Sequence, residues 1–319
     1  MIVGVLAGLL TCALWGLTFV APRTIAPFTT WDLTVARYGL YGVASLFLML
    51  HPRFRPKRMS GAQLVIGFLL GVLAAPGYFV CAAFAVQSAG AAVPPLIIGL
   101  APALLAIVAN RQDATMPWRV LVWPLGLILI GLLTVNLDAL RSPGAVGGPH
   151  PWLGLALSIV ALAAWVGFGF INAAVMRGRS PPDGLHWTGL QGLGAGCGAL
   201  LLIPVTSPAA IATAPAAAGL VFWTWVVVMG IVGSWLATWC WVVASRSLPL
   251  GLLSQLIVAE TVFGLLYGFL YERRLPTMPE WMGGGLQLAG VALAIALFSR
   301  PSHAASSVGN ASRKKIALP

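Results

Sequence analysis

The sequence predicts an all-α integral membrane protein of ten transmembrane helices, arranged as two inverted five-helix repeats. Three observations predict it. Of 319 residues, 59% are hydrophobic and only 8% are charged, against roughly a quarter charged in soluble chains. Ten apolar segments have the length a bilayer crossing requires. The chain also resembles itself at a fixed shift. Seven acidic residues cannot cover the surface of a water-soluble protein this size, so a soluble enzyme is excluded, as is a disordered or collagen-like chain.

The ten spans are 2–21, 31–50, 64–85, 91–109, 120–135, 153–176, 186–205, 219–245, 249–270 and 282–298. Runs such as 64–73 are continuous and lack two-residue alternation, which identifies helices rather than barrel strands. Pro22 to Pro27, His51 to Lys57, Pro181–Pro182 and Ser207–Pro208 punctuate the intervals. The span at 186–205 is the most polar, with a Gly-rich first half and Gln191. The first span has no positively charged flank and no small-residue cleavage site, so it reads as a retained helix rather than a signal peptide.

The net charge of +11 is unevenly spread. With the N-terminus inside, the inner segments hold Arg53, Arg55, Lys57, Arg58, Arg111, Arg119, Arg177, Arg179, Arg246, Arg300, Arg313, Lys314 and Lys315, which is 13 of the 18 basic residues. Arg23, Arg141, Arg273 and Arg274 fall outside, and Arg37 lies within span two. This is the positive-inside pattern of a multi-pass inner-membrane protein with both termini cytoplasmic, and it accounts for the charge without nucleic acid. Residues 300–319 form a small, polar, basic tail expected to be disordered. The four cysteines, Cys12, Cys81, Cys197 and Cys240, lie in spans without ligand spacing.

A shift of 159 residues aligns spans three to five with spans eight to ten. Cys81 then meets Cys240, Ser88 meets Ser247, Pro117 meets Pro276, Gly126 meets Gly285, Gly131 meets Gly290 and Asp113 meets Glu272. A shift of 150 places Trp15 on Trp165. The expected repeats are 1–140 and 152–299. Five helices per repeat is an odd number, so the halves enter the membrane in opposite senses.

Ala13-Leu14-Trp15-Gly16-Leu17-Thr18-Phe19-Val20 resembles the opening of EamA-type members of the drug/metabolite transporter superfamily. Ala36-Arg37-Tyr38 is similar to a pattern in that family's second helix. Ala259-Glu260-Thr261 through Tyr271-Glu272-Arg273-Arg274-Leu275-Pro276 resembles its Glu-Pro and Gly-Glu-x-Leu-x-Pro patterns. Thr261 and Tyr271 stand where the family often has Pro and Gly. The resemblance covers nearly everything before the tail. It implies secondary transport of small organic metabolites or drugs, amino acids and related compounds among them, with export the more usual direction. It also implies a central cavity among helices 1, 3, 4, 6, 8 and 9, with helix two at the periphery.

Glu260 is the most informative candidate. An acid at membrane depth costs about 2.5–3.5 kcal/mol on insertion scales, so it contacts a substrate amine, couples transport to a proton or ion, or is a neutral carboxyl bonded between helices. Arg37 keeps its charge; it binds a carboxylate, pairs with Glu260, or snorkels from an outer position, and the peripheral helix two of the resemblance favours snorkelling. Trp15 and Trp165 lie mid-helix, away from interfacial belts, as core packing or as cavity wall. Thr11, Trp15 and Thr18 share one helical face. Trp235, Thr238, Trp239 and Trp241 on helix eight and Tyr78 on helix three complete the candidates, as the wall of an aromatic small-molecule pocket or as bundle packing. No Walker A loop, HExxH or metal-ligand cluster is present, so no cofactor is expected and the energy comes from a gradient. The rival class, an intramembrane enzyme acting on lipid-linked substrates, needs several converging ionisable groups where the spans offer one acid and one arginine.

Overall fold

The computed structural model describes residues 1–90, 93–113, 117–136, 141 and 149–299. The basic tail lies outside the described residues, as do the side chain of Asp113 and most of the interval between the two expected repeats. Among the described residues the chain is all helical, with no strand. Eight helical runs are long and apolar enough to cross a membrane: α1 (Ile2–Thr24), α3 (Gly61–Ala89), α4 (Pro94–Arg111), α5 (Trp118–Val135), α6 (Pro151–Met176), α8 (Ala216–Ser247), α9 (Leu250–Glu272) and α10 (Met278–Ser299). It is a membrane-type helical protein. Two further long helices pack beside them. The first, α2 (Thr30–Leu48), carries Asp32 and Arg37; the second, α7 (Gly184–Leu200), has 17 residues and buries Thr188 and Gln191.

Local chemistry sets the helix ends. Thr29 and Asp32 form a reciprocal capping box at the start of α2, and Ser60 and Gln63 form another before α3. Asp183 caps α7 through the Leu185 N–H. The seventh predicted span ends sooner than its hydropathy suggests: α7 stops at Leu200, and a 3-10 turn (Ile203–Val205) and a short helix (Pro208–Thr213) lead to α8. Pro22 does not end α1. It occupies the first turn of Ala21–Thr24, where its missing N–H costs nothing.

Two of the runs are broken and two are underwound. A turn at Gly99–Leu100 splits α4, and one at Ile257–Val258 splits α9. Leu73–Gly77 in α3 and Val228–Leu236 in α8 are π-helical. Each i→i+5 turn holds an additional residue and rotates everything that follows it.

Hydrogen bonds between helix ends define two opposite faces. At the first, which holds the start of α1 and the end of α10, Gln63 donates to the Ser180 carbonyl at 2.9 Å, and a His186 ring nitrogen lies 3.1 Å from the Arg53 carbonyl. At the second, Arg23 pairs with Glu272 at 2.6 Å, the Ser207 N–H donates to Asp32 at 2.7 Å, and the His150 N–H donates to the Ser88 carbonyl at 3.1 Å. On the first-face side the interior is solid, packed with Met176, Trp187, Trp241, Leu250 and Leu252.

Close helix approach depends on glycine, as it does wherever lipid removes the hydrophobic drive for helices to associate. A Cβ on Gly71 would sit 2.0 Å from the Gln191 carbonyl oxygen, and one on Gly194 would sit 1.9 Å from that of Phe68. Both obstacles are backbone, so α3 and α7 would have to separate. Gly71→Ala or Gly194→Ala should therefore destabilise the detergent-solubilised protein by about 1–3 kcal/mol. Gly126→Ala, with nothing within 4 Å of its Cβ position, should leave the thermal midpoint unchanged. Equal midpoints for all three variants would refute the close α3–α7 contact.

Candidate functional site

A cavity of about 620 Å³ lies among the helices, within the range of small-molecule sites. Its wall reaches the second face through Pro22, Thr30, Val86, Pro94 and Asn136, and among the described residues none of its lining comes from the first-face ends of the helices. The bottom is aromatic. The rings of Trp15 and Trp165 meet edge to face with centroids 5.4 Å apart. Tyr78 and Phe168 stand 5.6 and 5.5 Å from Trp165, and Trp241 closes the group 5.6 Å from Trp15. Such ring contacts add about 0.5–1.5 kcal/mol each beyond burial, so the rings of the floor hold one another in place.

Below it lies a polar hub. Trp187 Nε1 and Gln191 Nε2 both donate to Asn172 Oδ1, at 2.8 and 3.1 Å, while Asn172 Nδ2 donates to Ser245 Oγ at 3.0 Å. The Ser245 hydroxyl in turn donates to the Trp241 carbonyl. All these side chains are buried, so α6, α7 and α8 are tied together on the side where the cavity is sealed.

Of the candidate residues, Trp15, Thr18, Arg37, Tyr78, Trp165 and Glu260 line the cavity. Trp239 does not. Its Nε1 lies 3.9 Å from where a Cβ on Gly184 would sit, at the start of α7. The π turn at Val228–Leu236 rotates the helix that follows, and Thr238 faces the cavity instead. The shared face of Thr11, Trp15 and Thr18 also divides. Thr11 is fully buried, with hydrogen bonds to the Ala7 and Ala237 carbonyls; Thr18, in a 3-10 turn, lines the cavity while donating to the Trp15 carbonyl at 2.7 Å.

Arg37 faces the cavity and does not snorkel. Thr30, Leu33, Thr34, Arg37, Tyr38 and Tyr41, at i, i+3, i+4, i+7, i+8 and i+11, line the cavity as a single stripe of α2. Helix two is therefore a wall of the site, where the resemblance implied a peripheral position. The guanidinium reaches Ser234 Oγ at 3.4 Å and stacks over the Tyr38 ring at 4.5 Å, and Arg37 Nε is buried without a partner.

Glu260 sits at the break in α9, in the first turn of the helix Ala259–Glu272, where the helix dipole favours an acid. Its backbone is held against α1: the Gly16 Cβ position lies 3.0 Å from Gly264 N and 3.3 Å from the Glu260 carbonyl oxygen. Arg37 lines the same cavity as Glu260, yet among the described residues the two form no ion pair. They are the only charged side chains among the described residues that line the cavity.

Sequence inspection did not single out Tyr38, Tyr41, Ser234 or Gln287, which also line it. The α2 stripe carried a legible signal in its polar and aromatic spacing; Gln287, an isolated polar residue in α10, carried none. Among the described residues no group of three or more His, Cys, Asp or Glu is arranged to hold a metal ion.

No family model matches the chain. It is 30% identical to the inner membrane protein YtfF of Escherichia coli K12, with 92% of this chain and 95% of that protein covered. A crystal structure of another protein matches with a TM-score of 0.70 at 18% identity, covering 92% of this chain and 97% of that one. That likeness is one of fold.

The hub gives a stability test. Hydrogen bonds inside membranes average about 0.6 kcal/mol and reach about 1.7. Asn172→Leu removes three and orphans the Trp187 and Gln191 donors, so it should cost about 2 kcal/mol in a reversible denaturation assay. A variant as stable as the wild type would show that the hub does not bind α6, α7 and α8 together.

Proposed function

The chain belongs to the family of the E. coli inner membrane protein YtfF, and from that premise we propose that it is a secondary transporter of small organic solutes working by alternating access. The observation that carries the proposal is the cavity, which reaches one face, is sealed from the other and holds a charged pair and an aromatic floor. A water-accessible pocket closed at one end is what an alternating carrier presents in one of its two states.

In this proposal the protein crosses the membrane ten times, with α2 and α7 as the two remaining spans. Their polarity has a reason: the polar stripe of α2 faces the cavity, and Gln191 of α7 bonds the hub. The two halves are inverted repeats. Support comes from features that recur at the same shift of about 159 residues. The π segment Leu73–Gly77 corresponds to the end of Val228–Leu236, and the break in α4 corresponds to that in α9. Contacts are reciprocal as well. The Cβ position of Gly131 meets the Gly283 carbonyl, and that of its counterpart Gly290 meets the Pro124 carbonyl. Gly4 packs on Ser247 as Gly154 packs on Ala89.

The arrangement of basic residues puts the first face in the cytoplasm, so the cavity is in its outward-facing state. Export is the direction proposed, and Glu260, the one acid among the described lining residues, is where a coupling proton or ion would act. The lining offers one acid and one arginine, which favours transport over catalysis on lipid-linked substrates.

Extracellular metabolites from cells overproducing wild type, Glu260→Gln or empty vector test the proposal. One solute class should accumulate outside with the wild type, and the variant should lose at least about 90% of that excess, because an intramembrane acid carries function. Full export by Glu260→Gln at normal expression would remove Glu260 from the mechanism. No accumulation by correctly inserted wild type would count against export.

A further inference from the structure

The basic residues of the first face are not evenly spread. The loop that joins α2 to α3 holds Arg53, Arg55, Lys57 and Arg58 within six residues, and the turn between α6 and α7 adds Arg177 and Arg179. These two segments contain one acid, Asp183, whose carboxylate caps α7 by accepting from the Leu185 N–H at 2.9 Å. Elsewhere on this face Arg111, Arg119 and Arg246 stand on separate helices.

The basic loop is held in place by three helices. Arg55 donates to the Met49 and Leu50 carbonyls at 2.9 and 2.8 Å, which folds the loop back under the end of α2. The Phe54 ring meets Trp235 of α8 edge to face, with centroids 6.1 Å apart. A ring nitrogen of His186 in α7 lies 3.1 Å from the Arg53 carbonyl. Gln63, at the start of α3, donates to the Ser180 carbonyl at 2.9 Å and so brings the second turn alongside. Arg58 takes the left-handed backbone region at φ 55°, which glycine enters at less cost, so a cation stands where the backbone alone favours glycine. Arg53, Lys57, Arg58 and Arg179 are exposed and form no ion pair among the described residues. Next to the loop, Val43, Leu46, Phe47 and Leu50, at i, i+3, i+4 and i+7, form an exposed apolar stripe on the side of α2 away from the cavity.

We propose that this corner of the first face is a binding site for an anionic phospholipid. The phosphate sits on Arg53, Lys57, Arg58 and Arg179, and the acyl chains run along the stripe of α2. A headgroup is attracted by cations that no acid neutralises, and it is retained where those cations are already held in place; both conditions are met here. Arginine suits the phosphate because its planar fork offers paired donors. A zwitterionic headgroup brings an ammonium of its own, which the cluster repels. A soluble phosphate would use the cations and leave the apolar stripe uncovered, so the occupant is a lipid. The site lies outside the cavity and does not depend on the transport proposal.

Native mass spectrometry on the purified full chain tests this, with phosphatidylglycerol and phosphatidylcholine of matched acyl chains as probes. The first phosphatidylglycerol should bind about tenfold or more tightly than the first phosphatidylcholine, since each cation near the surface strengthens attraction to an anionic lipid severalfold. The triple variant Arg53→Gln, Lys57→Gln, Arg58→Gly should cut that preference to about twofold or less. Arg58→Gly alone, which relaxes the backbone while removing one cation, should lower it by about threefold or more. The control triple Arg111→Gln, Arg119→Gln, Arg246→Gln removes as many charges from the same face and should keep the preference. The proposal is overturned if the two lipids bind alike, if Arg58→Gly leaves the preference unchanged, or if the control loses as much as the loop variant, which would make the effect one of overall charge. It is overturned too if glycerol phosphate at equal concentration displaces the lipid, because free phosphate would then be the occupant. The wild-type and Arg58→Gly comparisons decide the matter even if a triple variant misfolds.

Discussion

A charged side chain at membrane depth must face water, a partner or a cavity, because hydrocarbon offers it nothing. Arg37 and Glu260 both lie within helices, and the molecule around them answers that requirement. The stripe of α2 that carries Arg37 turns toward the interior, and the helix that carries Glu260 is broken so that the acid falls in a first turn. The cavity that both line has a floor of aromatic rings in contact with one another. The charged residues within the helices and the cavity thus occupy the same place, and each explains the other.

Holding such a cavity open requires tight packing elsewhere. Glycines bring α3 against α7 at backbone distance, and the Asn172 hub ties α6, α7 and α8 beneath the floor. The seal is a polar network and a block of large side chains, while the opposite face is joined by exposed ion pairs such as Arg23 with Glu272. Exposed pairs of that kind are worth little. The buried hub is the stronger fastening, and it must come apart if the cavity is ever to reach the first face.

Much of this was legible in the residues, for identifiable reasons. Long apolar runs announced the helices because the bilayer sets a length, and the eight apolar runs lie where hydropathy put them. Glu260, Trp15, Trp165 and Tyr78 stood out because polar or aromatic groups in mid-span are expensive or unusual, and they gather around one space. What escaped was register. Nothing in Val228–Leu236 marks a π segment, so the residues alone did not say which of Trp235, Thr238, Trp239 and Trp241 faces the cavity, and among them it is Thr238. Arg37 was discounted through an analogy that made helix two peripheral, although the spacing of Thr30, Thr34, Arg37, Tyr38 and Tyr41 already described a face. The polar hub was hidden because Asn172, Gln191 and Ser245 come together only through tertiary contacts.

Whether the cavity opens in turn to both faces is the question on which transport rests. Single cysteines can be introduced at Ala75, which lines the cavity, in a background lacking Cys12, Cys81, Cys197 and Cys240. They would be labelled with a membrane-impermeant maleimide in right-side-out and inside-out vesicles. Alternating access predicts labelling from both sides, with the slower side accelerated by a transported solute. Labelling from one side only, whatever solute is present, would mean a fixed pit in the membrane rather than a carrier.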